Sequence, residues 1–331
     1  MYYRLNCLIT IKTAERTIKF SSVNAVTVKK SIDKVGSSAT IVIPTSAHLV
    51  ADGVATESMQ VASVFKRGDA VNIQLGYDND LVEEFDGFIY KINLKTPLEI
   101  ECEGHEFLLR EDVPVKTFAS TTLKGLLQYI IDKKNITISG KIPEIGMTNY
   151  VIPANLSRLD ALQQIKERYG ITIFFDKNNL YAGLDYVQYL GGVVYSLGVN
   201  TPRTDELKYQ YADDVKLKVK AIQVQKNNKK LEVEVGDPKG SLRTLYFYNT
   251  KDEAGLKKLA ETEIKKYKYT GYTGKITAFL QPYCTPGMVA EIRDVNYAER
   301  QGKFEVRSVD INFNTNGGRR IVEIGKIVSN G

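Results

Sequence analysis

The sequence predicts a mainly β protein with an α+β insert, in which two related antiparallel β-barrel domains flank a central α+β module. Three observations predict this architecture. Apolar and polar residues alternate with period 2 at both ends of the chain, apolar residues recur at helical spacing in the middle, and the two ends carry similar strand patterns. A chain of 331 residues also exceeds the roughly 250–300 residues that one hydrophobic core usually supports. The predicted domains are residues 1–112, 113–202 and 203–331, the last with one helix at about 251–268.

The first predicted domain consists of antiparallel strands. Val71, Ile73 and Leu75 share the apolar face of one strand, whose other face is polar. The apolar phase slips by one residue after Phe85, and we place a β-bulge at Gly87. Residues 46–67 show no clean period and are predicted to be a long excursion between strands. Further strands are predicted at residues 5–11, 23–31, 39–43, 88–94 and 98–102.

The central domain is predicted to contain two helices, each followed by a strand. The first helix is predicted to follow an N-cap at residues 120–122 and presents Leu123, Leu126, Leu127, Ile130 and Ile131 at helical spacing. The second begins at Ser157, where Asp160 completes a capping-box pattern, and ends at Gly170. The two strands are predicted at residues 136–138 and 171–175.

The last domain is predicted to return to strands around one helix. Strands at residues 215–225 and 230–235 flank a hairpin turn at residues 226–229. The helix is predicted to begin at Thr250, with Glu253 completing a capping box. Further strands are predicted at residues 275–280, 289–292, 304–313 and 319–327.

The two ends of the chain carry the same order of signals. In each, a strand led by a glycine is followed by a polar turn, by a strand with one phase slip, and by a closing strand. We infer that one chain carries two copies of one β unit. The positions predicted to define this unit are Gly68, Val71, Ile73, Phe85, Gly87 and Phe88 in the first copy, and Gly287, Val289, Phe304 and Val306 in the second.

The charge and cysteine content exclude some classes of protein. The net charge is +6, and residues 203–331 hold 24 basic and 17 acidic side chains. A basic region can indicate nucleic-acid binding, but lysines 216, 218 and 220 alternate with apolar residues, as the solvent face of a strand does. The three cysteines are far apart and odd in number, which argues against a disulfide framework and fits folding in a reducing cytoplasm.

Motifs for catalysis, metal binding or cofactor binding are incomplete in the sequence. His105-Glu106 begins like a metalloprotease HExxH, but no second histidine follows, and His48 is the only other histidine. Ser196 lies in a near match to the nucleophile elbow that lacks the first glycine. The carboxylate pairs Glu83-Glu84 and Asp213-Asp214 are predicted to lie solvated in polar turns. We therefore predict that the protein is not an enzyme and has no catalytic residue, metal site or cofactor.

Three stretches of the chain carry a family resemblance. The first is residues 65–73 continuing through residues 85–89, and the second is residues 152–180. The third runs from residue 253 to residue 274 and continues at Pro286-Gly287 and residues 302–306. In this order and spacing the chain resembles the phage late control protein D family, the baseplate or tail hub proteins of tailed phages.

The resemblance implies a structural protein without catalytic residues. Family members look like homotrimers in which each chain gives two tail-tube-like β-barrel domains, so that three chains present six similar units. Such a ring would join the sixfold tail tube to a threefold spike, because closed rings need interfaces that close on rotation. The implied function is that of a tail or baseplate hub of a phage or phage-like contractile injection particle.

The resemblance also implies partners and a location. The partners would be further copies of this chain, the tail tube protein, a spike or tip protein and a tape-measure protein, and the lumen would pass DNA without binding it specifically. The location would be the virion, at the tail baseplate or tip, after assembly in the host bacterial cytoplasm. Type VI secretion spike proteins look similar in their N-terminal part but continue into a needle region. Because this chain ends at Gly331, we expect a separate spike chain.

Two alternative functions stay open at this point. The basic last domain fits a nucleic-acid-binding β-barrel module, and a tail-associated cell-wall hydrolase is the second alternative because tail tips often carry such domains.

The sequence has no run of about 18 apolar residues, so we expect no membrane insertion by this chain. The first residues lack the apolar region of an export signal.

Overall fold

Strands make up most of the ordered structure. The computed structural model of the chain describes residues 4–51, 54–78, 80–183, 191–202, 206–224, 229–247, 252–297 and 300–328. Within these ranges the protein is mainly β with large antiparallel sheets, which confirms the predicted fold class. Where helices occur in this part of the chain, none is long and apolar enough to cross a lipid bilayer.

The elements are numbered in chain order. The first third contains β1 (Leu5–Lys12), β2 (Thr17–Phe20), β3 (Ala25–Ser31), β4 (Ser38–Ile43), β5 (Ser46–Ala51), β6 (Val54–Gln60), α1 (Val61–Val64), β7 (Ala70–Tyr77), β8 (Asp80–Asn93), β9 (Leu98–Glu103) and a 3₁₀ helix (His105–Leu109). The middle contains β10 (Lys116–Thr122), α2 (Leu123–Ile130), β11 (Thr137–Ser139), β12 (Gly146–Ile152), α3 (Arg158–Tyr169), β13 (Thr172–Asp176), β14 (Asn179–Gly183) and β15 (Gly192–Ser196). The last part contains β16 (Leu207–Gln210), β17 (Leu217–Val224), β18 (Lys230–Gly236), β19 (Ser241–Phe247), α4 (Glu253–Tyr267), β20 (Gly271–Ala278), β21 (Val289–Arg293), β22 (Gly302–Asn314) and β23 (Gly317–Ile327).

The largest sheet joins both ends of the chain. Its thirteen strands include the path β16-β20-β23-β22-β3-β4-β9-β8-β7-β1-β2, and β21 with β15 lies beside β22. Every pair on the path is antiparallel, whereas β15 and β21 are parallel. Alternate residues of these strands point into one hydrophobic core that contains residues of both ends, such as Ile73 and Ile292.

The same strand order occurs twice in this sheet. In the first part of the chain neighbouring strands follow the order β7-β8-β9-β4-β3, and in the last part they follow the order β21-β22-β23-β20-β16. In each copy a long central strand of 14 or 13 residues follows a shorter one and pairs with it and with the closing strand. The repeated signals in the sequence thus correspond to a repeated pattern of strand pairing.

The two β units are not separate closed barrels. β3 is the last strand of the first unit, and its outer edge pairs with β22 of the second unit rather than with a strand of its own unit. Within the described residues the large sheet therefore ends at β2, β15 and β16 and does not close on itself. The sequence shows only which strands exist, whereas closure depends on which edges meet.

The bulge is not at Gly87. The pairing of β7 with β8 shifts between Ile73 and Gln74, which leaves Glu84 as the extra residue, and the pairing of β8 with β9 shifts around Tyr90. Gly87 is instead in register opposite Val71. A Cβ atom on Gly87 would lie 2.1 Å from the carbonyl oxygen of Glu103, so the glycine allows a close backbone approach.

The predicted excursion at residues 46–67 contains regular structure. β5 and β6 form a two-stranded antiparallel hairpin, and the short helix α1 follows. The hairpin pairing shifts between Leu49 and Val50. Since a shift of one residue exchanges the two faces of a strand, the sequence shows no clean period there.

The central helices begin where the sequence predicts. The Thr122 side chain accepts a hydrogen bond from the Gly125 N–H, and the Ser157 side chain accepts one from the Asp160 N–H. The helix α3 ends at Gly170, which has the left-handed conformation. Both helices bury apolar residues in a second core together with the sheets β10-β12 and β11-β14-β13.

The third helix packs on a separate small sheet. The helix α4 buries Leu256 and Ala260 against the three-stranded sheet β18-β17-β19. Its N-cap is Asp252, whose side chain accepts a hydrogen bond from the Gly255 N–H at 2.8 Å, and not Thr250. Aspartate is a preferred N-cap residue, and the helix begins two residues later than predicted. Thr250 and most of the predicted turn at residues 226–229 lie outside the described residues. The two domain boundaries stay predictions.

Candidate assembly site: the seam between the two β units

We name the paired strands β3 and β22 the seam, because they join the first β unit to the second. The register runs from Ser31 opposite Ser308 to Ala25 opposite Asn314. Val28 and Ile311 face each other in this register, and both are fully buried. Continuous backbone pairing and a shared core therefore hold the two units in a fixed relation.

A buried ion pair links the two units behind the seam. Arg320 of β23 is 0% exposed and Glu84 of β8 is 1% exposed. The Arg320 guanidinium donates to both Glu84 carboxylate oxygens, at 2.5 and 3.3 Å, and also to the carbonyl oxygens of Leu280 and Cys284, at 2.7 and 2.8 Å. A buried charge is tolerated only when it is paired and its remaining hydrogen-bonding groups are satisfied, and this geometry meets both conditions.

The charges around this pair affect one another. Burial acts to lower the pKa of Arg320, but the adjacent Glu84 carboxylate outweighs it and raises that pKa above its ordinary value. Lys30 of β3 lies 3.9 Å from Glu84, and burial lowers the pKa of Lys30 although Glu84 opposes the shift. The Tyr283 ring lies against both cations, at 5.9 Å from the Lys30 Nζ and 5.3 Å from the Arg320 Cζ. A single carboxylate thus serves two cations, one from each unit.

Glu84 and Arg320 are buried residues that the sequence pattern did not predict. Glu84 was predicted to be solvated beside Glu83, but it is the extra residue of the bulge in β8 and points inward. A signal for Arg320 was present, because alternation back from Ile324 and Val322 in β23 places it on the core face. Asp213 and Asp214, by contrast, are both exposed, as predicted.

The predicted unit-defining positions fall into two groups. Five of the ten are buried in the large core, namely Val71, Ile73, Phe85, Phe304 and Val306. Phe88 and Val289 are only half-buried, and Phe88 stacks on Phe107 on the other face of the sheet, with ring centroids 5.4 Å apart. Their role in defining the unit stays a prediction.

The two leading glycines have the same local structure. Gly68 has φ +94°, and its N–H donates to the carbonyl oxygen of Ile89 at 2.9 Å. Gly287 has φ +90°, and its N–H donates to the carbonyl oxygen of Val306 at 2.8 Å. The same two strand residues donate back to the residue after each glycine. The Ile89 N–H donates to the Asp69 carbonyl oxygen and the Val306 N–H to the Met288 carbonyl oxygen, both at 2.9 Å. Positive φ favours glycine, which explains why both copies begin with one.

The side chains considered as catalytic candidates have structural partners. The His105 Nε2 lies 2.7 Å from the Asp86 Oδ2, and Asp86 also accepts from Asn72. Glu83 pairs with Lys177 at 2.6 Å. In the described part of the chain, no group of three or more histidine, cysteine or acidic residues could hold a metal ion, and the three cysteines are buried and free.

The cavity beside the buried ion pair is small. A cavity of about 40 Å³ lies against the Glu84 cluster and is lined by Lys30, Phe174 and Tyr283 among others. Pockets for small-molecule ligands usually measure about 300–1,000 Å³. This cavity can therefore hold ordered water but no organic ligand.

The basic last part of the chain does not form a continuous cationic surface along β17. Lys218 pairs with Glu234, and Lys220 pairs with Glu232 at 2.7 Å, in each case across the β17-β18 register. The lysines alternate with half-buried and buried residues, as predicted for the solvent face of a strand. Two of the lysines that raised the nucleic-acid alternative are therefore paired with glutamates on the neighbouring strand.

Comparisons with known proteins identify the fold. No protein-family model and no curated protein sequence matches the chain. Among solved structures, the 43 kDa tail protein of prophage MuSo2 from Shewanella oneidensis matches with a TM-score of 0.63 at 13% identity, over 96% of this chain and 98% of that one. The tail protein from Neisseria meningitidis MC58 matches with a TM-score of 0.62 at 13% identity, over 97% of this chain and 96% of that one.

A protein of a secretion system is also similar. The Escherichia coli c3393 protein, a component of the type VI secretion system, matches with a TM-score of 0.57 at 9% identity, over 97% of this chain and 77% of that one. That protein is described as structurally similar to the T4 bacteriophage tail proteins gp27 and gp5. The chain therefore has, over nearly its whole length, the fold of phage tail proteins and of their type VI secretion counterparts.

Proposed function

We propose that this chain is a structural tail protein of a phage or a phage-like injection particle, and that it acts as the hub of the baseplate or tail tip. In this proposal three copies form a ring that joins the sixfold tail tube to a threefold spike. The location is the virion, and the activity is mechanical rather than catalytic. Membership of the late control protein D family is part of this proposal.

The observation that carries the proposal is the repeated strand order in the large sheet. Two units with the order β7-β8-β9-β4-β3 and β21-β22-β23-β20-β16 lie side by side in one chain. Three such chains contain six units, which is the number that a sixfold tube presents to its neighbour. The full-length similarity to tail proteins supports the same conclusion.

The experiment is a measurement of assembly by the purified chain. Native mass spectrometry should give a trimer of about 111 kDa, three times 37.1 kDa, and averaged electron micrographs should show a ring with six similar lobes. Added tube protein should stack on one face of the ring. A chain that stays monomeric at high concentration, and that assembles with neither tube nor spike protein, would contradict the proposal.

A further inference from the structure

Two unpaired sheet edges of the described residues belong to the repeated units. β16 ends the large sheet, and in the described residues its outer edge has no partner strand. The last three residues of β8, 91–93, pair with β9 on one side, while the strand pairing with β7 on the other side ends at Phe88. Unpaired strand edges expose backbone donors and acceptors that can pair with another chain.

The pairing registers show which residues of the long strands are equivalent. Ile89 of β8 lies opposite Cys102 and is followed by one unpaired residue, after which Lys91 pairs. Val306 of β22 lies opposite Ile324 and is followed by one unpaired residue, after which Ser308 pairs. Together with the matching glycine hydrogen bonds, this makes Lys91 equivalent to Ser308, and Leu94 equivalent to Ile311 three residues later.

The same method relates β3 to β16. Val28 lies opposite Ala39, which lies opposite Cys102. Leu207 lies opposite Gly274, which lies opposite Ile324. Because Cys102 and Ile324 are equivalent, Leu207 of β16 occupies the place of Val28 in β3. Gln210 likewise occupies the place of Ser31.

We propose that β16 of one copy pairs antiparallel with residues 91–94 of a second copy, which are the end of β8 and the residue after it, in the register that β3 makes with β22 inside one chain. Gln210 then lies opposite Lys91, Tyr209 opposite Ile92, and Leu207 opposite Leu94. This inference rests on the proposed trimer and names the surface that would build it. The occupant of both edges is a second copy of this chain.

The exposure of the side chains supports this pairing. Leu94 is 81% exposed, whereas its equivalent Ile311 is fully buried by the seam. Leu207 and Ile92 are half-buried at the margin of the large core. Pairing in the seam register would cover Leu94 with Leu207 and extend the core across the contact. Burial of apolar surface is the main favourable term in association, and the paired backbone edges would fix the register.

The contact is head-to-tail, because β16 and β8 are different surfaces of the chain. Each copy offers one edge and accepts another, so the same contact can repeat from copy to copy. Such heterologous contacts form closed rings when the rotation between copies closes. In a ring the contact between chains would repeat the seam within each chain.

The test is disulfide trapping at one pair of the proposed register. The Ile32 N–H donates to the Arg307 carbonyl oxygen at 3.0 Å, so the next pair along the seam, Ser31 and Ser308, is a non-hydrogen-bonded pair. Cα atoms of such pairs lie about 4.5 Å apart, which suits a disulfide. The equivalent pair between chains is Gln210 and Lys91.

Three double variants are compared by non-reducing gel electrophoresis after mild oxidation. Lys91→Cys/Gln210→Cys should give covalently linked trimers. Ser31→Cys/Ser308→Cys is the matched positive control and should give a linked monomer. Lys91→Cys/Lys208→Cys is the register control, because it displaces the pair by two residues to about 7–8 Å, beyond the reach of a disulfide.

The outcomes separate this inference from the proposed function. A trimer in native mass spectrometry that shows no Lys91→Cys/Gln210→Cys linkage, while the Ser31→Cys/Ser308→Cys control closes, overturns the pairing and leaves the hub proposal standing. A chain that is monomeric under all conditions overturns both. If the register control forms a disulfide as readily as the proposed pair, the proposed pairing is also overturned.

A second variant tests the apolar contact without a new covalent bond. Leu94→Asp alters an exposed residue, so the single chain should fold as the wild type does, but the trimer should dissociate. Leu242→Asp is the matched control, since Leu242 is also exposed (61%) and lies on a different sheet. Intact trimers with Leu94→Asp would overturn the proposed contact.

Discussion

Substitution of Glu84 by glutamine tests whether the buried ion pair holds the two β units together. The change keeps the size of the side chain and removes its charge, which leaves the Arg320 guanidinium buried with carbonyl partners only and leaves Lys30 without its nearby carboxylate. Removing one partner of a buried ion pair typically costs about 3–5 kcal/mol of the free energy of unfolding. We expect Glu84→Gln to lose an amount in this range.

The matched control is a second arginine–carboxylate pair between the same parts of the chain. Arg307 of β22 donates to both oxygens of Asp33, at 2.7 and 3.2 Å, but the Asp33 side chain is 51% exposed. Pairs at the surface contribute about 0–1 kcal/mol, because water and salt screen them. Asp33→Asn should therefore lose much less free energy of unfolding than Glu84→Gln.

The assay is urea unfolding followed by circular dichroism at pH 7 for the wild type and both variants. The expected result is a clear fall of the transition midpoint for Glu84→Gln and a small one for Asp33→Asn. Equal losses in the two variants would refute the reasoning, because they would show that burial adds nothing to the value of the pair. Arg320→Met should be at least as destabilising as Glu84→Gln, since it also leaves the Leu280 and Cys284 carbonyls without their donor.

Three further predictions concern single positions. Gly87→Ala should cost about 1–3 kcal/mol through the clash with the Glu103 carbonyl, whereas Gly146→Ala, where a Cβ atom meets nothing within 4 Å, should leave the urea midpoint unchanged or raised. Burial raises the pKa of Glu106 to about 8, so the folded state holds this proton more tightly than the unfolded state, and the Glu106 contribution to stability falls as pH rises from about 4.5 to about 8. Glu106→Gln has no titrating group at this position and should not show that pH dependence. In urea titrations, its free energy of unfolding relative to the wild type should therefore be higher at pH 8.5 than at pH 4.5. A difference between the two proteins that does not change with pH would contradict the burial argument. Ser157→Ala should lower the stability of the central domain by about 1 kcal/mol through loss of the helix cap, as measured by thermal unfolding, and no loss would show that the cap is dispensable.

Local signals in the sequence predicted most elements correctly. Period-2 alternation identified β7, because a strand with one buried face repeats every second residue. Ser157 and Gly170 marked both ends of α3, since caps act over three or four residues of the chain. The same local patterns revealed the repeat, which the strand order then shows in full.

Contacts between distant residues were beyond this reasoning. Glu84 and Arg320 are 236 residues apart, and their pairing depends on a bulge that turns one carboxylate inward. The seam depends on the choice of β22 rather than another strand as the neighbour of β3. The sequence by itself determined the strands, the helix ends and the existence of two similar units, because these follow from the neighbours of each residue along the chain. Only the tertiary structure decided that the units share one sheet and one core, because any free strand edge can pair with any other and packing selects among them.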